Sequence, residues 1–164
     1  MKATIIIILL LGFTFSFNPG NSMKYALTYC NHYNPKYHYY KDRGEDAHFV
    51  SQCLVAGGQN FDGCNGRDGK GMILSVSNLK TCLLSKGWKS SDKKPASFKI
   101  GYPIFFKNCL HAMIATGFDG DNVVFCAHDR DRCNAKIKAT SVDYYYLWIK
   151  LLTLLTKPLL NLCY

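Results

Sequence analysis

The sequence has 164 residues, which suits one domain with a core of its own rather than several. Hydrophobic residues make up 48% and charged residues 19%, a balance that excludes an intrinsically disordered chain. The formal charge of +9 favours anionic surfaces. Its lysines are scattered, however, and the densest group (Lys86, Lys89, Lys93, Lys94) falls in a loop-like stretch, so no nucleic-acid partner is expected.

In chain order, the first segment reads as a leader. Lys2 gives a positive start, Ile5 to Leu11 form a short aliphatic run, and the small residues Thr14 and Ser16 follow. The run is too short to span a membrane. We expect a signal peptide over residues 1–17, cleaved between Ser16 and Ser22, and a secreted, extracellular domain over 18–149. Cys30, Cys53, Cys64, Cys82, Cys109, Cys126, Cys133 and Cys163 fit that compartment, because an even cysteine count in a secreted chain implies disulfides. No C-x-x-C pair marks a zinc site. Cys126 and Cys133 are the closest pair and are expected to clip a loop; the other pairings stay open.

A first helix is expected from a cap at Asn21-Ser22, with Met23, Ala26, Leu27 and Cys30 on one face. A tyrosine-rich linker broken by Pro35 follows. A second helix opens near Asp46, carries Phe49, Val50, Cys53 and Leu54 on its apolar face, and stops at Gly57-Gly58. Residues 59 to 72 read as a glycine-punctuated loop with neither a phosphate-loop nor a calcium-loop signature. A third helix is expected from Ser77 to Lys86.

Strands follow. Ile104 to Phe106 is a short one; Leu110 to Phe118 and Val123 to Ala127 form a hairpin across Asp119-Gly120-Asp121; Val142 to Ile149 is the last. Helices first and antiparallel strands second predict an α+β domain. The apolar tail 150–164 is interrupted by Lys150, Lys157 and Pro158, which favours an extra packed segment over a membrane anchor.

A cysteine hydrolase of papain type needs a thiolate at a helix N-terminus, a histidine base on a neighbouring strand, and a polar group that orients that histidine. This chain has a helix opening at residues 45 to 48, His111 at the head of one expected strand and His128 at the end of its partner. The run Glu45-Asp46-Ala47-His48-Phe49-Val50-Ser51-Gln52 resembles the nucleophile helix of the putative amidase domain family, which typically reads Asp-Cys-x-x-Phe-Val-Ser-Gln. Gly101 to Phe106 is similar to that family's short strand, His111 to Gly117 to its histidine strand, and Phe125 to His128 to its third-residue strand. The resemblance implies a papain-like fold related to the NlpC-type cell-wall peptidases, with N-terminal helices packed on an antiparallel sheet. It also implies ancestral cleavage of peptide amides in peptidoglycan-type ligands.

On that alignment Asp46 stands where the nucleophilic cysteine belongs, His111 at the base position and His128 as the orienting third residue. A carboxylate at a helix N-terminus is stabilised by the dipole and favours an imidazolium beside it, but it is no neutral-pH nucleophile for amides. The leading expectation is a catalytically degenerate domain that keeps a cleft for peptide or glycan ligands. One alternative is residual or altered amide hydrolysis, with Asp46 as base for a water and His111 as partner. Another is a metal held by Asp46, His111 and His128, although an Asp–His ion pair explains the same residues. No cofactor is expected, and the domain is expected to be a monomer. His48 lies about 200° around the helix from Asp46 and is expected to face elsewhere. His32 and His38 carry no motif. Tyr144 to Tyr146 are expected in the core, with sugar stacking the other use of such a run.

Overall fold

The computed structural model describes residues 17–40, 45–107, 111–128 and 130–147. The first helix, α1 (Pro19–Tyr29), starts earlier than its apolar rhythm suggests. Asn18 is extended and its Oδ1 accepts from the Asn21 amide at 3.2 Å, while Pro19 supplies a pre-set φ at the first helical position. The pair Asn18-Pro19 is thus a stronger start than Asn21-Ser22. The Asn18 amide donates to the Gly57 carbonyl at 2.7 Å, and the Phe17 ring packs on Trp88 and Tyr102 at 5.1 and 5.7 Å. Phe17, expected within the leader, is therefore part of the packed domain. The rest of that leader, and the apolar tail, lie outside the described residues.

The second helix, α2 (Glu45–Ala56), is buried without interruption from Glu45 to Leu54. A helix covered on all sides is a central one, and α2 packs against α1, α3 and the strands β3 and β4 described below. Ser51 serves its interior: its hydroxyl bonds the Ala47 carbonyl at 2.8 Å and accepts the Ile73 amide at 3.2 Å, pinning the following loop. The third helix, α3 (Val76–Ser85), is capped by Ser75 and ends at Gly87, whose φ of +88° suits glycine. A Cys64–Cys82 disulfide holds the 59–72 loop to α3.

Six strands form one antiparallel sheet: β1 (Trp88–Ser91), β2 (Pro103–Phe106), β3 (Ala112–Asp119), β4 (Asn122–Ala127), β5 (Arg132–Lys138) and β6 (Val142–Leu147). Their spatial order is β1-β6-β2-β3-β4-β5. Three helices followed by this sheet (β5 and β6 joined by a single 3-10 turn, Ala139–Ser141) make an α+β fold, as expected. The interior strands are the ones their apolar runs announce, and Tyr144 and Tyr145 lie in the core.

Both edge strands were absent from the sequence expectation. β1 buries only Trp88, and β5 alternates half-buried with exposed residues while carrying Lys136 and Lys138. Charged, half-apolar segments are what a protected sheet edge uses, and they look like loop in a hydropathy reading. The cysteine pairing also differs. Cys133 on β5 bonds Cys30 at the end of α1, joining residues 103 apart, and Cys126 is a free buried thiol. A close sequence spacing is no guide when α1 returns to the sheet beside the same hairpin. Among the described residues no helix is long and apolar enough to cross a membrane.

Gly101 fixes how α1 meets the sheet. Its φ is +92°, its amide donates to the Ala115 carbonyl at 2.7 Å, and a Cβ there would run into the backbone carbonyl of Pro19. Gly101→Ala is expected to lower stability by about 1–3 kcal/mol in denaturant unfolding. Gly69→Ala, at a position with open space around it, should stay within about 0.5 kcal/mol of the parent.

Candidate functional site

The start of α2 meets the start of β3 through one side chain. Asp46 accepts the Ala47 amide on Oδ1 at 2.8 Å, at the positive end of the helix. Its Oδ2 accepts the Ala112 amide at 3.0 Å and faces His111 Nδ1 at 3.3 Å. The β3–β4 register begins at Ile114 opposite Cys126, so the Ala112 amide lies beyond the ladder and takes the carboxylate as its acceptor. The His111 side chain is 43% exposed and that of Asp46 10%, which puts the imidazole on the outer side of the pair.

Behind this pair lies a second, buried set. Glu45 accepts the Tyr40 amide at 2.9 Å on Oε2, which also faces His48 Nδ1 at 3.5 Å; its Oε1 faces His128 Nδ1 at 3.3 Å. Burial pushes the Glu45 carboxyl up, but hydrogen bonds from His128, His48 and the Tyr40 amide together outweigh it and hold the group down to about 2. His128 is stacked on Phe49 with centroids 3.9 Å apart, and its Nε2 reaches the Tyr29 carbonyl at 2.6 Å.

His48 is fully buried and does face away from Asp46. Its Nε2 bonds Asp68 at 3.2 Å, and its Nδ1 meets the Gln52 amide at 3.0 Å. Gln52 in turn accepts from Tyr25 at 2.6 Å, and Tyr25 accepts from Asn34 at 2.8 Å. Burial raises the Tyr25 phenol, which keeps it a donor. A cavity of about 480 Å³ opens on the 64–71 loop, and Asp68, the far end of this chain, lines it.

Of the residues singled out from the sequence, the fold brings Asp46 and His111 together. It turns His128 to Glu45 and the Tyr29 carbonyl. Cys53 lies seven residues along α2 from Asp46, about 10 Å at 1.5 Å per residue, and burial lifts its thiol well above the ordinary range. Glu45, Gln52 and Asp68 were missed. The i,i+3 spacing of Glu45 and His48 and the i,i+4 spacing of His48 and Gln52 were available signals. The contacts of Asp68 and Tyr40, made from loop and linker, were not.

The family model described as "Putative amidase domain" matches residues 16–108, more than half of the chain. The chain belongs to this family. No curated protein is significantly similar in sequence. Among solved structures, the crystal structure of Ly7917 with the hydrolyzing product of MDP aligns at a TM-score of 0.47 and 12% identity, over 79% of this chain and 62% of that one. The crystal structure of Ly7917 aligns at 0.46 and 16%, over 79% and 61%. The chain therefore spans about three-fifths of the length of these structures.

Glu45 supplies a pH test. Its carboxyl ordinarily titrates near 4.5 and is held at about 2 in the folded chain, so the stabilisation is complete above pH 4.5 and is lost as pH falls towards 2. That contribution is about 3 kcal/mol at neutral pH. Glu45→Gln is expected to lower stability at pH 7 and to flatten its decline between pH 4.5 and 2, read by urea unfolding across that range. An unchanged acid slope contradicts the pairing of Glu45 with the two histidines.

Proposed function

We propose that this chain is a secreted member of the amidase domain family whose nucleophilic cysteine has been replaced by Asp46, and that it binds its ligand without cleaving it. In this reading the fold is papain-like and related to the NlpC-type peptidases. The leader ends at Ser16, the near limit of the expected cleavage window, so that Phe17 stays with the domain, which runs to residue 149; 150–164 are an appended apolar tail. His111 stands at the base position, and His128 descends from the orienting third residue. The ligand is a peptide or glycan of cell-wall type, such as peptidoglycan or a related glycopeptide, and the +9 charge suits such anionic envelopes.

The observation that carries the proposal is the engagement of Asp46. One oxygen holds the Ala47 amide; the other holds the Ala112 amide and faces His111. A carboxylate whose two oxygens are both taken up by backbone amides and an imidazole has no oxygen left free to attack a ligand carbonyl. Loss of a nucleophile leaves only binding and oxyanion contributions to catalysis. His111, partly exposed and facing Asp46, is then a polar group that a ligand at the surface can reach.

The test is to assay the full chain and an Asp46→Cys variant on a panel of muropeptides, with retention on insoluble cell-wall material measured at low and high salt. Asp46→Cys should cleave at least about 10²-fold faster than the parent, which should show no turnover above background. Both should be retained at low salt. Equal cleavage by the two proteins, or no retention of either, contradicts the proposal.

A further inference from the structure

Three sulfur atoms meet where α1 ends on the sheet. Cys30 caps the C-terminus of α1 and is bonded to Cys133 on β5. The Sγ of Cys126, on β4, lies within 4.8 Å of both. The local backbone brings the strands' cysteines together: the β4–β5 register shifts between Phe125 and Ala127, and Asn134 takes a φ of +52° to allow it. Among the described residues Cys126 and Cys53 are the free cysteines, and only Cys126 adjoins a disulfide in a three-sulfur group.

A thiol held within 4.8 Å of both sulfurs of a disulfide needs only a small side-chain movement to reach it. We propose that Cys30, Cys126 and Cys133 form an internal thiol–disulfide exchange site, in which the bridge passes from Cys30–Cys133 to Cys126–Cys133. The thiolate of Cys126 forms a bond to the sulfur of Cys133. The bond to Cys30 breaks, Cys30 leaves with the electron pair, and it takes up a proton equivalent to the one Cys126 released. One disulfide and one thiol are present before and after, so no outside oxidant or reductant is consumed. Burial pushes the Cys126 thiol up, while hydrogen bonds from the Asn134 backbone and Thr116 pull it partly back. The exchange is therefore slow at neutral pH and accelerates as pH rises.

The two isomers tie different things. Cys30–Cys133 fastens the last turn of α1 to an edge strand, across 103 residues of sequence. Cys126–Cys133 would close only the β4–β5 hairpin and release α1. Tyr29, next to Cys30, supplies the carbonyl that receives His128, which in turn pairs with Glu45 beside Asp46. Passage of the bridge thus loosens the buried set behind the candidate site. This inference stands on the sulfur geometry and does not depend on the proposed ligand.

Two measurements on the full chain test it. Non-reducing peptide mapping of oxidised Cys30→Ser should recover Cys133 bridged to Cys126; Cys133 found as a free thiol or bridged to another cysteine overturns the proposal. For the parent protein, incubation with iodoacetamide from pH 7 to 9 should trap alkylated Cys30 together with a Cys126–Cys133 bridge, at a rate rising up to about tenfold per pH unit. The Cys126→Ser variant should lose that product. Cys30 unlabelled throughout in the parent, or labelled equally in Cys126→Ser, overturns the assignment.

Discussion

The domain depends on a carboxylate placed between a helix and a strand. Asp46 sits in the first turn of a helix buried on every side, and it supplies the acceptor for a β3 amide that has run past its pairing with β4. Without that acceptor the Ala112 amide would be buried and unpaired, which costs of order 1–3 kcal/mol. The same oxygen faces His111, so α2, β3 and the imidazole are fixed relative to one another by a single group. A polar group in so enclosed a place is tolerable because both of its oxygens have partners: two backbone amides and an imidazole.

The charged groups next to it follow the same logic. Glu45, one residue earlier on α2, is as buried as Asp46 and faces two histidines and an amide. Removing one member of such a buried pair leaves an uncompensated charge, whereas the complete set is close to neutral in cost. The set is anchored at several separate points: the Tyr29 carbonyl at the end of α1, Tyr40 in the linker, Asp68 in the loop and Gln52 on α2. It therefore couples the tyrosine-rich linker and the glycine-rich loop to the core, which neither segment's composition would suggest. The Cys30–Cys133 bridge bolts the α1 end of this arrangement to the sheet.

Much of this was legible beforehand, and the limits have physical causes. Helices α2 and α3 and the strands β2, β3, β4 and β6 bury the apolar residues their patterns single out, so hydropathy finds them, whereas on α1 Leu27, expected on the apolar face, is exposed and Ser22 is buried. β1 and β5 are sheet edges with polar, lysine-bearing sequences, and an edge strand is defined by its neighbour rather than by its own residues. The proximity of Asp46 and His111 was what the family resemblance implied, with their places at a helix start and a strand start consistent with it. The orientation of His128 could not, because it is set by Glu45 and by a backbone carbonyl 99 residues away. Cysteine pairing is likewise a property of the tertiary fold: the closest spacing pointed to Cys126 and Cys133, and the return of α1 gave Cys133 another partner.

The central claim is that Asp46 is committed to holding α2 and β3 together. Amide hydrogen exchange at Ala112, compared between the parent chain and Asp46→Ala under conditions where both stay folded, addresses it most directly. The account predicts that Ala112 is protected in the parent and loses most of that protection in Asp46→Ala, while Ile114 within the ladder keeps its own. Equal protection of Ala112 in the two proteins would mean that the carboxylate is not its partner, and the account of a side chain too engaged to attack would fail with it.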